Sequence, residues 1–154
     1  METREIPINM KHRRRVVAKQ WQDNTDNQFE ILSGNRENAT NKIMLQQIRA
    51  KINGYKSQDL KKQLFIEIEF VDLEYVISLL CDCSLVCHYC RKQTVILYDK
   101  VREATQWTLD RIENNLGHNR ENVVIACLSC NLSRKTMYSG RFLFTKQLEV
   151  HKTI

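Results

Sequence analysis

No stretch of the chain approaches the ~20 consecutive apolar residues that a membrane span requires, because Lys, Arg, Asp or Glu interrupts every hydrophobic run. The first twenty residues contain no apolar block, which argues against a secretory leader. Internal repeats and low-complexity tracts are also absent. Membrane and exported proteins are therefore poor readings, and the expected setting is a reducing intracellular compartment, cytoplasm or nucleus. What is present is an ordinary globular composition, 42% hydrophobic and 27% charged over 154 residues. That is about one domain with a modest extension.

Charge is unevenly placed. Residues 1–20 hold six basic and two acidic side chains, and residues 131–154 hold five and one, so each end carries +4 of a total of +6. The middle of the chain is slightly acidic. Positive ends suit a polyanion, with nucleic acid the expected partner, DNA before RNA. The run Lys11-His12-Arg13-Arg14-Arg15 is either a nucleic-acid arm or a solvated tail.

All six cysteines lie between residues 81 and 130. Cys87-His88-Tyr89-Cys90 and Cys127-Leu128-Ser129-Cys130 are two Cys-x-x-Cys pairs. A two-residue gap lets two thiolates converge on one side of a tight turn, and two such turns make a closed tetrahedral Cys₄ zinc site. Bound zinc adds directly to folding energy. Cys81 and Cys83 have no matching pair and read as small residues at a helix end. His88 is not needed as a ligand when four thiolates are available.

Coarse periodicity divides the rest. Residues 1–40 read as a basic, polar, flexible arm. Residues 41–53 predict a helix carrying Ile43, Leu45, Ile48 and Ile52, stopped at Gly54. Residues 55–59 predict a turn, with Ser57 or Asp59 capping a short helix to Leu64. Phe65 to Phe70 is a strand or a loop anchored by its aromatics. Asp72 caps a helix with Leu73, Val76, Ile77 and Leu80 on its buried stripe. Residues 41–80 thus form a small helical region, and 81–154 a separate unit. In that unit Thr94–Tyr98, Gln106–Ile112 and Val123–Ala126 are strand candidates, 114–119 a polar loop and Asn131–Tyr138 a helix. The fold class expected is α+β, a helical region followed by a zinc-stabilised ββα finger.

Three segments in order, Thr108-Leu109-Asp110-Arg111-Ile112, Gly117-His118-Asn119-Arg120-Glu121-Asn122-Val123 and Cys127-Leu128-Ser129-Cys130-Asn131, followed by Lys135, resemble the HNH family of nucleases. This is the ββα-metal or His-Me finger group, treble-clef-like in form, and small stand-alone members of viral and phage type are similar in pattern. The resemblance spans Cys87 to Lys135, roughly a third of the chain. It implies a metal-dependent DNA endonuclease or nickase. Asp110 and Asn131 would hold a catalytic Mg²⁺ or Mn²⁺, hard cations that prefer oxygen ligands, while Asn122 would tie the intervening loop. Arg134, Lys135 and Arg141 would reach backbone phosphates, with Arg13, Arg14 and Arg15 adding to them. Phe142, Leu143, Phe144 and Leu148 would pack the C-terminal segment on the finger, with base stacking the less favoured role for the two aromatics.

One departure matters. After this Asp the family usually places a His as general base, and here Arg111 stands there. A guanidinium stays protonated and cannot take a proton from water, although it can bind phosphate or stabilise transition-state charge. Three outcomes stay open: His118 replaces the base, metal-bound water reacts without one, or the module binds nucleic acid and does not cut it.

Overall fold

The structure, a computed structural model, describes residues 27–148. The basic run with Arg13, Arg14 and Arg15 lies outside them. Seven elements follow in order: α1 (Gln28–Ser33), α2 (Ala39–Lys61), α3 (Leu73–Asp82), β1 (Trp107–Arg111), β2 (Val123–Cys127), α4 (Leu128–Arg134) and α5 (Ser139–Gln147). The class is α+β. Among the described residues no helix is long and apolar enough to cross a membrane.

The expected arm gives way to structure before its end. Residues 28–33 form α1, with Leu32 buried, and the polar composition that suggested flexibility contains two structural amides. Buried Gln28 accepts from the N–H groups of Ile96 and Leu97 (2.7 and 3.0 Å) and donates to Leu97 O (3.0 Å). Buried Asn41 donates to Ile31 O, tying α2 to α1. Asn38 caps α2, accepting from Thr40 N at 2.8 Å.

α2 also runs past its expected stop. Gly54 sits in open space inside the helix, costing about 1 kcal/mol relative to Ala. The buried stripe Met44, Ile48 and Ile52 continues through half-buried Tyr55 to Asp59, where a turn was expected. That continued burial outweighs one glycine. Between α2 and α3 the chain is a loop in which the Phe65 and Phe70 rings meet at 5.3 Å, with a single bridge from Phe70 to Asn119. α3 begins where expected: Asp72 accepts from Tyr75 N at 2.8 Å, and Val76, Ile77 and Leu80 are buried.

Residues 94–98 are buried but form no regular strand. Val95 pairs only through a single bridge to Gln106, and these residues pack by side chain and by the Gln28 amide. β1 and β2 pair antiparallel, from Trp107 opposite Cys127 to Arg111 opposite Val123. α4 starts at Leu128, three residues before the expected Asn131, because the Cys127 side chain itself caps it, accepting from Cys130 N at 3.4 Å. One core cluster joins Leu32, Met44, Ile48, Val76 and Leu80 to Trp107, Leu109 and Ile125, so the helices and the sheet share an interior. A second, smaller cluster surrounds Cys87, Tyr89, Cys127, Cys130 and Phe142.

Candidate metal centre and the polar cluster beside it

The first Cys pair sits in a tight turn closed by Arg91 N to Cys87 O at 3.1 Å, with Arg91 itself at φ 61°. The second straddles the end of β2 and the first turn of α4. A backbone bond from His88 N to Ile125 O (2.8 Å) ties the first turn to β2 and so brings the two turns together. The four Sγ atoms of Cys87, Cys90, Cys127 and Cys130 lie within 4.8 Å of one another. A tetrahedron with metal–sulfur bonds of about 2.3 Å has edges of about 3.8 Å. Cys90 Sγ and Cys127 Sγ are 3.8 Å apart.

Four thiols this close cannot all stay neutral without interaction. The Cys87 thiol is pulled down by the hydrogen bond from Cys127. Cys127 is pushed up by the same bond, and Cys130 by burial. A cation in the centre turns this conflict into four bonds. The quartet can therefore hold a metal ion such as zinc. Cys81 and Cys83, at and just beyond the end of α3, are not in it, and neither is His88.

Strand alternation puts Thr108 and Asp110 on one face of β1, and α4 lies across that face. Thr108 Oγ1 donates to Ala126 O (2.7 Å), so toward Asn131 it can only accept, which fixes Asn131 Nδ2 as the donor at 3.0 Å. The Asn131 oxygen accepts no hydrogen bond among the described residues. One turn further along α4, Arg134 reaches Asp110. Its Nη1 donates to Asp110 Oδ2 at 2.8 Å and also to Arg111 O. Nε donates to Met137 O (2.8 Å), and Nη2 to Ile112 O (3.1 Å) and Asn114 Oδ1 (3.3 Å). The Tyr89 hydroxyl also donates to Asp110 Oδ2 and accepts from Ser139 Oγ at 2.9 Å. Burial and the Asp110 carboxylate hold the Tyr89 phenol far above its ordinary value. Asp110 is 6% exposed, and its Oδ1 is left free of these bonds.

Arg134 corrects an expectation. At 1% exposure, with its guanidinium spent on the ends of β1 and α4, it cannot reach a phosphate. Lys135 and Arg141 are exposed, as phosphate contacts require. Arg111 folds onto the loop, its Nη1 donating to Asn114 O (3.0 Å) and Leu116 O (3.1 Å). Asn122 spans that loop, accepting from Glu113 N (2.9 Å) and donating to Glu113 O (3.2 Å) and Gly117 O (2.9 Å).

His118 bonds Asp59 of α2. Its Nδ1 meets Asp59 Oδ1 at 2.8 Å, its backbone N–H meets Asp59 Oδ2 at 2.6 Å, and its ring stacks on Tyr55 at 4.4 Å. Tyr55 in turn accepts from Leu109 N (3.0 Å). Preceding it, Gly117 is tight against Asp59, since a Cβ there would lie 2.7 Å from Oδ2. Burial holds the His118 ring below its ordinary value despite that carboxylate. At 4% exposure it links the loop to α2 and meets no solvent front.

No family model, curated protein or solved structure matches the chain. Chemistry must be argued from the site alone. A closed set of four thiolates leaves no open coordination position, so such an ion is structural. Asp110 Oδ1 and Asn131 Oδ1 are the side-chain oxygens of this cluster that accept no hydrogen bond among the described residues. Sequence reasoning missed Tyr89, Ser139, Tyr55 and Asp59. Tyr89 had one available signal, its place inside the first Cys pair. Asp59 had another, its helical spacing from Ile52 and Tyr55.

Proposed function

We propose that the chain is a metal-dependent nuclease of the HNH, ββα-metal type, hydrolysing phosphodiester bonds in DNA as an endonuclease or nickase. The observation that carries this reading is that Asn131 and Arg134 of α4, the helix that holds Cys130 of the thiol quartet, bond Thr108 and Asp110 of β1, with an oxygen of Asp110 and of Asn131 uncommitted. In this reading zinc fills the quartet and holds α4 in place. Mg²⁺ or Mn²⁺ at Asp110 and Asn131 supplies charge neutralisation and water activation when bound. Arg111 keeps N–H groups beyond those given to the loop and binds the scissile phosphate. No side chain acts as base: Arg111 cannot, and His118 is committed to Asp59 and shielded from water.

A second reading has its own support. Asp110 Oδ2 already faces the Arg134 guanidinium, a permanent cation within hydrogen-bonding distance. A carboxylate neutralised in this way suits a module that binds nucleic acid without cutting it.

Supercoiled plasmid incubated with the zinc-loaded protein and Mg²⁺ or Mn²⁺ separates the two. Under the first reading wild type and His118→Asn nick the plasmid while Asp110→Asn does not, although a Co²⁺-substituted sample keeps its thiolate absorption. Nicking that survives Asp110→Asn discredits the proposed site. Absence of nicking with salt-dependent binding retained selects the second reading.

A further inference from the structure

Between Glu121 and Glu149 the chain has no acidic residue. This stretch carries β2, α4 and α5, and its cations other than Arg134 (Lys135, Arg141 and Lys146) are exposed. It also exposes aromatic surface. Tyr138 is 64% and Phe144 66% exposed, whereas Phe142, between them, is buried against Tyr89 with ring centroids 4.9 Å apart. The sequence had suggested that Phe144 and Leu148 pack inward with Phe142. Only Phe142 and, in part, Leu143 do so. Tyr138 makes no capping hydrogen bond for α5, and its ring lies over Gly140, where a Cβ would meet it at 3.0 Å. Arg141 stands one turn from Phe144 and midway in sequence between the two rings. α5 is anchored to the candidate site itself, because Ser139, next to Tyr138, bonds the same Tyr89 hydroxyl that reaches Asp110.

We propose that Tyr138 and Phe144 form a stacking face for unpaired bases, with Lys135 and Arg141 on the phosphates, so that the ligand seated beside Asp110 is a single-stranded segment of nucleic acid. The inference rests on the nucleic-acid reading above and adds strand preference to it. The Tyr138 ring lies over Gly140, four residues and about 6 Å of helix axis from Phe144. Adjacent bases in a duplex strand are stacked about 3.4 Å apart. Rings at this spacing on a convex helix cannot enter that stack, but they can take bases splayed from an opened strand. Every base has a π-face, so this contact tolerates sequence, and the acid-free surface supplies the complementary charge.

Anisotropy titrations of zinc-loaded full chain, without other divalent ions, against fluorescein-labelled oligothymidylate and a duplex of equal length test this. The single strand is expected to bind more tightly. Tyr138→Ala and Phe144→Ala should each weaken it roughly 5- to 100-fold and change duplex binding little. Phe144→Trp should restore affinity, its indole emission quenched as the oligonucleotide binds. The Co²⁺–thiolate absorption shows which variants keep the finger. Alanine variants that hold oligothymidylate as tightly as wild type overturn the proposal, and so does equal or better binding to duplex. Failure of plasmid nicking with these affinities intact removes the nuclease reading and leaves this one standing, whereas absence of binding to either nucleic acid removes both.

Discussion

The larger core takes Leu32, Met44, Ile48, Val76 and Leu80 from the helices and Trp107, Leu109 and Ile125 from the sheet, whereas the smaller gathers Tyr89, Ala126 and Phe142 around three cysteines. In the first, each aliphatic side chain contributes its own 1.5–3 kcal/mol or so through burial, and stability is spread over many independent contacts. In the second there is little apolar area to bury. The α4–β1 interface depends instead on a guanidinium, a carboxylate and four sulfurs satisfied together. Cores of the second kind fail as units, and this one carries the candidate site.

The largest test of that contrast is to load the quartet with the metal ion it can hold and then remove that ion. A strong chelator forfeits on the order of 10 kcal/mol of metal binding free energy, and Cys130→Ser, which leaves three thiolates, forfeits part of it. We expect loss of the Co²⁺–thiolate band and of order in β2 and α4, while α2 and α3 keep most of the far-ultraviolet helix signal. One cooperative collapse of all helix signal would show that the two cores are not energetically distinct.

Next is the buried ion pair. Arg134→Ala leaves the Asp110 carboxylate without its cation and should cost about 4 kcal/mol in urea denaturation. The double variant Arg134→Ala with Asp110→Asn should cost less than the sum of the two, since no lone charge remains. Additive losses would mean that the pair does not act as one. Ile48→Ala, in the aliphatic core, should cost about 3 kcal/mol and leave metal affinity unchanged, and a change in that affinity would break the separation.

A smaller effect is pH-dependent. Burial holds His118 below the ordinary histidine value of 6.5 in the folded chain. Below that pH the unfolded chain binds a proton that the folded chain refuses, so this contribution is complete above 6.5 and declines as pH falls through the window beneath it. His118→Asn should cost about 2 kcal/mol near neutrality by removing the ring partner of Asp59 Oδ1 and should flatten the acid-side slope of unfolding free energy against pH. Comparing the variant with wild type, both zinc-loaded, cancels the protonation of the thiolates. Parallel slopes would sink this assignment.

What the sequence made legible follows the same division. Thiol spacing alone brought Cys87, Cys90, Cys127 and Cys130 together, because a Cys-x-x-Cys turn dictates its geometry locally. β1, β2 and the Asp72 cap were readable for the same reason. α2 was cut short at Gly54 because a local breaker says nothing of Tyr55 and Asp59, which gain partners only from Leu109 and His118 more than fifty residues away. α1 was hidden in polar residues because Gln28 acts through backbone groups of residues 96 and 97. Arg134 reads as a surface cation on α4, and only the tertiary fold shows that it faces inward. Buried polar residues make long-range bonds, and periodicity carries no trace of those.

The smallest effect sits between the two regions' demands. Lys135 ends α4 at φ 52° and ψ −116°, a conformation that glycine adopts freely and a side chain resists. Lys135→Gly should therefore raise unfolding free energy by about 1 kcal/mol. It also deletes an exposed cation beside α5, which should weaken oligonucleotide binding and lower the slope of log affinity against log salt by about 1. A variant more stable in urea yet weaker in binding means that strain is tolerated here to place an ammonium group at the interface. If stability does not rise, the backbone relaxes in solution and strain has no part in placing Lys135; if binding does not fall, that cation lies outside the nucleic-acid surface.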